Sequence, residues 1–468
     1  MVAAGGAAAQ NCTQPMLGQG QMAGTVTETS VIVQARLTHG DRLLNHDLPG
    51  CPGRARWEYA TDGQFRESSR TPWITAEAAN DFIVKTHIGG LEPATRYYYR
   101  LWFGRDTTDA WVGDRATFRT LGGRNDEREA RLVVVTGMNV DKFYRHPEMA
   151  YIGPDRDLGF PALETILRMR PDYFVGTGDN VYYDARNLPF GFATEETGIR
   201  RCYHEQFVRP RFHELFKYVA TYWEKDDHDY RYNDCDNTGD RLPLPDLGVK
   251  MFLEQLPVAD PADPNPVTYG TFRVSKDLQI WIVEGRDYRS PNDMEDGPDK
   301  TLWGATQRDW LKQTLRESDA TFKVLISPTP MVGPDDRYKT DNHADVEGFR
   351  YERDDFFRFL IDEGINRNFY LVCGDRHWQY HSIHPTGIEE FSSGALIDAN
   401  ARVGRLPGDP ESSDPDAEII QPYVMLEPSG GFLLFRVEPA ADDEPPRIHF
   451  EFFDERGVPL YATMKRAR

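Results

Sequence analysis

The sequence has little cysteine, no long apolar run and no excess of positive charge. Only 5 of its 468 residues are cysteine, and no window of about 18 consecutive residues is apolar, so no segment reads as a membrane-spanning helix. Lysine and arginine total 54 against 75 aspartate and glutamate residues, which gives a formal net charge of −21 at pH 7. Because nucleic-acid binding needs a basic footprint, this charge argues against DNA or RNA as the main partner.

Several catalytic templates and a targeting segment are also missing. The sequence contains no G-x-S-x-G elbow, no P-loop and no H-E-x-x-H. The motifs that would indicate a serine hydrolase, a P-loop NTPase or a zincin are therefore missing. The first residues, MVAAGGAAAQ, have neither the charged start nor the apolar stretch of a signal peptide. We expect a secreted or periplasmic protein whose signal peptide is already removed.

The five cysteines divide into one core residue and four that could pair. Cys373 lies inside the apolar run FYLVC, which predicts a reduced core thiol. From count and neighbourhood, we expect disulfides Cys12–Cys51 and Cys202–Cys235. Such bonds would place the protein in an oxidising compartment.

The pattern of the chain predicts two domains. After an N-terminal extension over 1–21, residues 22–121 carry short alternating segments typical of a small all-β sandwich. The spacing Leu91-x-Pro93-x-Thr95-x-Tyr97 resembles the fibronectin type III sandwich, where a tyrosine bonds back to the preceding corner. Residues 122–130 have the composition of a linker, and 131–468 form the second domain.

Apolar strand-like runs alternate with amphipathic helical segments through most of the second domain. Examples are RLVVVTG, then PALETILRMR, then DYFVGTG. Buried strands separated by helices predict an α/β sheet with helices on its faces. In such sheets ligand groups collect at the carboxyl ends of the strands.

Three predicted strand ends carry acidic residues, and two of them also carry histidine. DYFVGTG is followed by DNVYYD from Asp179, KYVATYW by EKDDHD with Asp227 and His228, and FYLVC by GDRH with Asp375 and His377. Carboxylate oxygens suit hard cations, imidazole suits transition metals, and two ions can clamp the oxygens of a displacement at phosphorus. Since so many carboxylates would repel one another without cations, the pattern predicts a metal site.

GDNVYYD, WEKDDHDY and GDRH, in that order and after a fibronectin-like module, resemble the alkaline phosphatase D (PhoD-like) group of metallophosphoesterases. The segments GRDYRS from Gly285 and ATQRDWLKQTLRES from Ala305 also resemble segments of that family. The resemblance implies a four-layer α/β/β/α metallophosphoesterase domain behind the sandwich. It also implies metal-dependent hydrolysis of phosphoesters, by metal-activated hydroxide at a dinuclear or multinuclear site.

The resemblance assigns roles to residues of this sequence. Asp179 would bridge metals, Tyr182 would be a phenolate ligand of ferric iron, and His228 would contact the phosphoryl oxygen or protonate the leaving group. Arg286 would clamp the anionic substrate. Further expected metal ligands are Asp227, Asp375 and His377, and further expected substrate contacts are Asn180, Asn342 and His343.

One departure changes the expected metal. The family places a cysteine iron ligand after its first phosphatase strand, whereas this sequence has Met138, a poor ligand for a hard cation. Either Asn139 and Asp141 substitute with oxygen ligands, or the ferric site is altered or absent. Calcium is therefore the first expected ion and ferric iron a further candidate, with zinc, manganese and magnesium still open.

Two other interpretations stay open at this point. The same site could hydrolyse sulfate or other oxyanion esters, and phosphate monoesters and diesters are equally compatible with it. Alternatively, the acids could hold structural calcium in an extracellular carbohydrate-binding or adhesion protein. His228 beside Asp227 favours the enzyme, because a structural calcium site has no use for imidazole. We expect a small anionic ester as the ligand.

Overall fold

The computed structural model describes residues 12–468, which form 22 strands and seven α-helices. The strands are β1 Gln21–Gly24, β2 Ser30–Arg36, β3 Gly53–Ala60, β4 Ser69–Arg70, β5 Ile74–Ala76, β6 Ile83–Gly89, β7 Arg96–Gly104, β8 Ala110–Val112, β9 Ala116–Arg119, β10 Ala130–Val135, β11 Tyr173–Thr177, β12 Ala220–Glu224, β13 Gly270–Arg273, β14 Leu278–Ile282, β15 Phe322–Ser327, β16 Phe369–Cys373, β17 Gln379–Ile383, β18 Glu389–Ser393, β19 Ile420–Val424, β20 Gly431–Glu438, β21 Arg447–Asp454 and β22 Pro459–Arg466. The helices are α1 Val140–Arg145, α2 Pro161–Met169, α3 Glu196–Phe207, α4 Pro210–Phe216, α5 Pro245–Gln255, α6 Gly304–Glu317 and α7 Arg350–Asp362.

These strands form three sheets. One has nine strands in the order β22-β21-β20-β10-β11-β12-β1-β2-β6, and a second has seven in the order β13-β14-β15-β16-β18-β17-β19. The third contains β4-β3-β7-β8, with β5 paired to β3 and β9 paired to β7. In the nine-stranded sheet β10, β11 and β12 are parallel neighbours, and in the seven-stranded sheet β14, β15 and β16 are.

Alternation along each central strand explains the layers. In β10, Leu132 and Val134 belong to the core between the two large sheets, whereas Val133 and Val135 belong to the core under the helices. Successive side chains of a strand point to opposite faces, so a continuously apolar strand is buried on both. Helices α1–α5 cover the outer face of the nine-stranded sheet, and α6 and α7 cover that of the seven-stranded sheet. The predicted α/β/β/α layering is confirmed.

The N-terminal strands do not stand apart from the second domain. Strand β1 pairs in parallel with β12, with Gly24 opposite Thr221, so β1, β2 and β6 extend the nine-stranded sheet. The third sheet packs on this extension and shares its core with the two large sheets. The boundaries 22–121, 122–130 and 131–468 stay a prediction, and residues 1–11 of the expected extension lie outside the described residues.

The predicted tyrosine contact at the corner of the sandwich is present. The Tyr97 hydroxyl accepts a hydrogen bond from the backbone N–H of Glu92 at 2.9 Å. The bond ties strand β7 to the turn that precedes it, as the spacing of that segment predicts.

One of the two predicted disulfides forms. Cys12 and Cys51 are bonded, with their Cα atoms 5.5 Å apart, and Cys373 is a free core thiol as predicted. The Cys202–Cys235 prediction is wrong: both residues are buried free thiols. Cys202 packs in the helix-covered core, while the Cys235 thiol faces the backbone carbonyl of Asp227 at 3.6 Å.

The helices of residues 12–468 include none with both the length and the apolar character that a membrane crossing requires.

Candidate metal centre

The carboxyl ends of β10, β11, β12 and β16 open into one cavity of about 760 Å³. The loop after each of these strands contributes to its wall, through Asn139, Asp179, Asp227 and Asp375 respectively. The structure therefore brings together, at a shared edge of the two large sheets, the acidic strand ends that are far apart in sequence.

Two of the acidic residues sit in the left-handed region of backbone conformation. Asp179 has φ of 54° and Asp375 has φ of 58°, a conformation that costs a non-glycine residue about 1 kcal/mol. Asp375 follows a glycine for steric reasons, since a Cβ on Gly374 would lie 2.1 Å from the carbonyl oxygen of Thr177. The two Gly-Asp turns hold their carboxylates at the floor of the cavity.

Asp179 lies at the centre of a first cluster. Its Oδ2 accepts a hydrogen bond from the Tyr182 hydroxyl at 2.7 Å and lies 3.0 Å from His377 Nε2. One oxygen each of Asp179 and Asp227 and one ring nitrogen of His228 lie within 4.8 Å of one another. The other oxygen of Asp179, Oδ1, is buried without a hydrogen-bond partner. A buried oxygen of this kind costs free energy that a bound cation would recover.

A second cluster shares Asp227 with the first. One oxygen each of Asp227, Asp234 and Asp341 lie within 4.8 Å of one another. Neither carboxylate oxygen of the buried Asp341 has a hydrogen-bond partner, and its nearest cations are Arg286 at 3.6 Å and Lys339 at 3.9 Å. The two groups of possible metal ligands therefore share one residue, Asp227.

The crowding of acids shifts the titration of the site. Burial raises the pKa of Asp179 to about 7, with the Asp227 charge adding to the shift and the His228 charge opposing it. Burial also raises the pKa of Asp375. For His228 burial lowers the pKa, but Asp227, Asp179 and Asp184 outweigh it and raise the pKa well above 6.5. These acidic neighbours favour the protonated form of His228.

His228 is held in one orientation. Its Nδ1 lies 2.6 Å from Asp184 Oδ1, and its ring packs on that of Tyr182 with centroids 4.4 Å apart. The Tyr182 hydroxyl in turn accepts a hydrogen bond from the Asn400 side chain at 2.9 Å. With Nδ1 engaged, the ring nitrogen Nε2 is left for a ligand in the cavity. Sequence reasoning assigned no role to Asn400, which lies 220 residues along the chain from Asn180 and carries no motif.

Asn139 and Asp141 line the cavity but already have partners. Asn139 Oδ1 accepts from the backbone N–H of Lys142 at 2.9 Å and so caps the first turn of α1. Asp141 accepts from Arg145 Nε at 2.7 Å and from the Asn187 amide at 3.1 Å. Their predicted role as substitute iron ligands stays a prediction.

Arg286 and His343 do not line the cavity, and their expected role as substrate contacts stays a prediction. Arg286 is fully buried, and its guanidinium donates to Asp226 Oδ1 and to the Cys235 carbonyl, each at 2.7 Å. His343 is also fully buried, with Nε2 3.0 Å from a carboxylate oxygen of Glu352. Both side chains face inward because buried carboxylates there need a cation or a donor.

Asn180 and Asn342 are fully buried and do not line the cavity. The Asn180 side chain donates to Asp229 Oδ2 at 2.7 Å. The Asn342 side chain donates to Asp375 Oδ2 at 3.1 Å. Both contacts orient acidic residues, and the expectation that these two side chains touch substrate stays a prediction.

Four basic side chains on the cavity wall were missed by sequence reasoning. Lys142, Arg186, Arg241 and Arg402, here called the rim cations, come from four separate segments of the chain. The sequence offers no signal for them, because each stands alone in its own loop or helix and only the fold places them around one opening.

Comparison with known proteins identifies the family. Residues 150–406 match the model of the PhoD-like phosphatase, and residues 3–121 match that of the PhoD-like phosphatase, N-terminal domain. The first match alone covers more than half of the chain. This chain belongs to the PhoD-like phosphatase family. The resemblance of its GDNVYYD, WEKDDHDY and GDRH segments to that family is thereby confirmed.

Individual relatives agree with this family membership. Alkaline phosphatase D of Bacillus subtilis (strain 168) is 23% identical over 411 residues, a match that spans 80% of this chain and 66%, just under two thirds, of that protein. A solved structure of PhoD has a TM-score of 0.74 at 15% identity, covering 98% of this chain and 91% of the other. Purple acid phosphatase PPD1 from yellow lupin has a TM-score of 0.63 at 11% identity, covering 97% and 74%. The two structures confirm the predicted fold class.

Proposed function

We propose that this member of the PhoD-like phosphatase family hydrolyses phosphoesters at the cavity where the strand ends meet, using bound metal ions. The observation that carries the proposal is the pair of overlapping clusters on Asp227, with unpartnered buried oxygens on Asp179 and Asp341. Asp179 lines the open cavity, and Asp341 is buried beside Asp227, which lines it too. Unpartnered oxygens there favour cations, and cations favour an anionic substrate.

The side chains that would hold metal are Asp179, Asp227, Asp375, His377 and Tyr182, together with Asp234 and Asp341 of the second cluster. All of these except His377 offer oxygen, which favours calcium, whereas the phenol of Tyr182 beside Asp179 and His377 favours ferric iron. The side chain of Met138 packs in the helix-covered core and leaves the donor set free of sulfur. When bound, such ions would act as Lewis acids on the phosphoryl oxygens and activate water.

His228 would act on the leaving group. Its Nδ1 is fixed by Asp184 at 2.6 Å, which leaves a protonated Nε2 to donate a proton to the departing alcohol oxygen. Asp184, which is not among the proposed metal ligands, raises the pKa of His228 and so favours the protonated ring. Asp184 is a positioning residue in this scheme, since it acts through His228.

The disulfide supports an oxidising compartment for this protein. Cys12–Cys51 links the start of the described chain to the loop before β3. Disulfides persist in secreted and periplasmic proteins and are rare in the cytosol. We place the enzyme outside the cytoplasm on this ground.

The proposal is tested by metal analysis coupled to activity. The purified protein is assayed before and after chelation, and again after addition of calcium with or without ferric iron. The substrates are p-nitrophenyl phosphate, bis-p-nitrophenyl phosphate and p-nitrophenyl sulfate. We expect activity on at least one phosphate ester that chelation abolishes and metal restores.

The variant Asp179→Asn adds a direct test of the site. Losing a carboxylate from the centre of the first cluster should reduce bound metal, measured by elemental analysis, and lower kcat/KM by about 100-fold or more. Asp246→Asn, an exposed change of the same chemistry on α5, is the control. Normal metal content and turnover in Asp179→Asn would contradict the proposal, and activity on the sulfate ester alone would redirect it to sulfate esters.

A further inference from the structure

Three of the four rim cations have no carboxylate partner. Within residues 12–468 no carboxylate oxygen lies within 4.0 Å of the side-chain nitrogens of Lys142, Arg186 or Arg241. Several acids of the cavity wall have other cationic partners: Asp141 contacts Arg145, Asp184 contacts His228, Asp234 contacts Lys339, and Asp375 contacts Arg376. Direct ion pairs with the wall therefore do not hold these three side chains.

The rim cations concentrate positive charge at one cavity of a chain whose formal net charge is −21. An oxyanion that enters among the four side chains would be attracted by each of them.

Two of the rim cations are held in place by aromatic rings. The Arg241 guanidinium lies 3.8 Å from the centroid of Tyr232, and that of Arg402 lies 4.4 Å from the centroid of Trp378. Stacking orders a guanidinium by its face and leaves N–H groups on its edge for bidentate contacts with an oxyanion. Arg402 keeps a single 3.4 Å contact to Asp335 and is 43% exposed.

The cavity is larger than a phosphate ester group needs. At about 760 Å³ it falls in the range of pockets that enclose a whole small-molecule ligand. The clusters at the floor would hold the ester phosphate, while the rim cations surround the remaining space. The part of the substrate that reaches the rim therefore meets a concentration of positive charge.

We infer that Lys142, Arg186, Arg241 and Arg402 bind a second anionic group of the substrate, so that the preferred substrate is a phosphoester with another phosphate on its alcohol side. This inference rests on the proposed function, since it places the ester phosphate at the floor. The rim cations would then favour phosphoesters that carry a second phosphate over esters of neutral alcohols, because the latter lack a second anionic group.

A matched pair of substrates tests the inference. Hexanediol monophosphate and hexanediol bisphosphate differ only in a hydroxyl or a phosphate at the far end of the same chain. We expect a kcat/KM at least about tenfold higher for the bisphosphate at low ionic strength, with the ratio shrinking as salt screens the charges. A hexanoate analogue with a terminal carboxylate distinguishes a general preference for anions from a preference for phosphate.

The variant that tests the rim replaces Arg186, Arg241 and Arg402 together by glutamine. The ratio of kcat/KM between bisphosphate and monophosphate should fall to about 1. The control replaces Arg42, Arg66 and Arg105, which are exposed on the N-terminal part, and so changes the net charge equally. It should leave the ratio unchanged, and circular dichroism and melting curves verify that both variants fold.

Failure of this inference and failure of the proposed function give different results. A ratio near 1 in the wild type, or a ratio that survives in the rim variant, overturns the inference while phosphoester hydrolysis stands. If neither ester is hydrolysed with any metal, calorimetric binding of hexane bisphosphonate and hexane monophosphonate still decides the inference. Equal affinity of the two phosphonates for the wild type would overturn it.

Discussion

At the scale of single residues, the site depends on side chains whose surroundings oppose their ordinary charge state. Asp179 is an acid with a pKa raised to about 7 by burial, and His228 is a base kept protonated by its acidic neighbours. Shifts of this kind are concentrated at functional sites, because catalysis needs groups poised near the working pH. A bound cation would stabilise the ionised carboxylate of Asp179 and relieve the crowding.

The ion pair between Asp184 and His228 yields a prediction for the pH profile. Asp184→Asn removes one of the charges that raise the pKa of His228, so the pKa should fall. If His228 donates a proton, the alkaline limb of kcat/KM should move to lower pH, and kcat should drop by about tenfold or more. Asp157→Asn, an exposed change, is the control. An unshifted alkaline limb would remove Asp184 and His228 from proton transfer.

The sequence predicts site residues from their position after the ends of predicted strands. Asp179, Asp227, His228, Asp375 and His377 directly follow apolar runs, and the fold brings all five to one cavity. The end of a strand determines where the following loop lies in the fold. The direction of each side chain in that loop depends on the residues that it contacts, and these belong to other segments.

Arg286 and His343 illustrate that limit. Both stand in loops near the site, but Asp226 in the loop after β12 holds Arg286 in the interior, and Glu352 on α7 holds His343 there. The rim cations were missed for the same reason. No local pattern links Lys142 to Arg402, and only tertiary structure does.

At the scale of helices and strands, the predicted elements form because their apolar patterns match burial on both faces. Strand β15 shows the division: Val324 and Ile326 join the core between the sheets, while Leu325 joins the core under α6 and α7. What the sequence could not show is which strands become neighbours. The pairing of β1 with β12 joins segments about 200 residues apart, and neither strand carries a mark of its partner.

One contact fastens a helix end to the N-terminal strands and yields a stability prediction. Lys85, on β6, donates through Nζ to the carbonyls of Leu253 and Leu256 at 2.6 Å and of Glu254 at 3.0 Å, at the C-terminal end of α5. The Lys85 amine satisfies carbonyls that the helix leaves unpaired. Burial lowers the pKa of Lys85 to about 7, so the three hydrogen bonds carry the contact more than a full charge does. Lys85→Met should therefore lower the free energy of unfolding by about 2 kcal/mol.

Denaturant unfolding followed by circular dichroism measures this loss. Lys250→Met is the matched control, since Lys250 is exposed on the same helix and pairs with Glu196 at the surface, where ion pairs contribute about 0 to 1 kcal/mol. A loss in Lys85→Met no larger than that of the control would show that the contact does not stabilise the fold.

At the scale of the whole molecule, the N-terminal strands and the phosphatase layers share one sheet and one core. The family models still recognise two segments, 3–121 and 150–406. Sequence similarity marks evolutionary units, whereas cooperativity depends on buried contacts between them. The continuous sheet predicts that both segments unfold in one transition.

Asp81 joins the two segments at a buried point and gives the last prediction. Its carboxylate contacts Arg36 at 2.9 Å on β2, His204 at 2.7 Å on α3 and the Gln255 side chain at 2.9 Å on α5. Burial alone would raise its pKa, but His204 and Arg36 outweigh burial and hold the pKa far below 3.8. A lowered pKa means that the ionised Asp81 stabilises the fold above about pH 3.8 and that this contribution is lost as the pH falls further.

Asp81→Asn should accordingly lower the melting temperature at pH 7, with a loss of about 3 kcal/mol because buried cations lose their partner. The difference from wild type should shrink as the pH falls below 3.8, because the Asp81 carboxylate is then protonated in the unfolded chain while it stays ionised in the fold, which reduces its net contribution to stability. Calorimetry should show a single transition that shifts as a whole, because the two segments share a sheet. Two separated transitions in the variant would show that the N-terminal strands fold independently, and an unchanged melting temperature would show that the cluster contributes no stability.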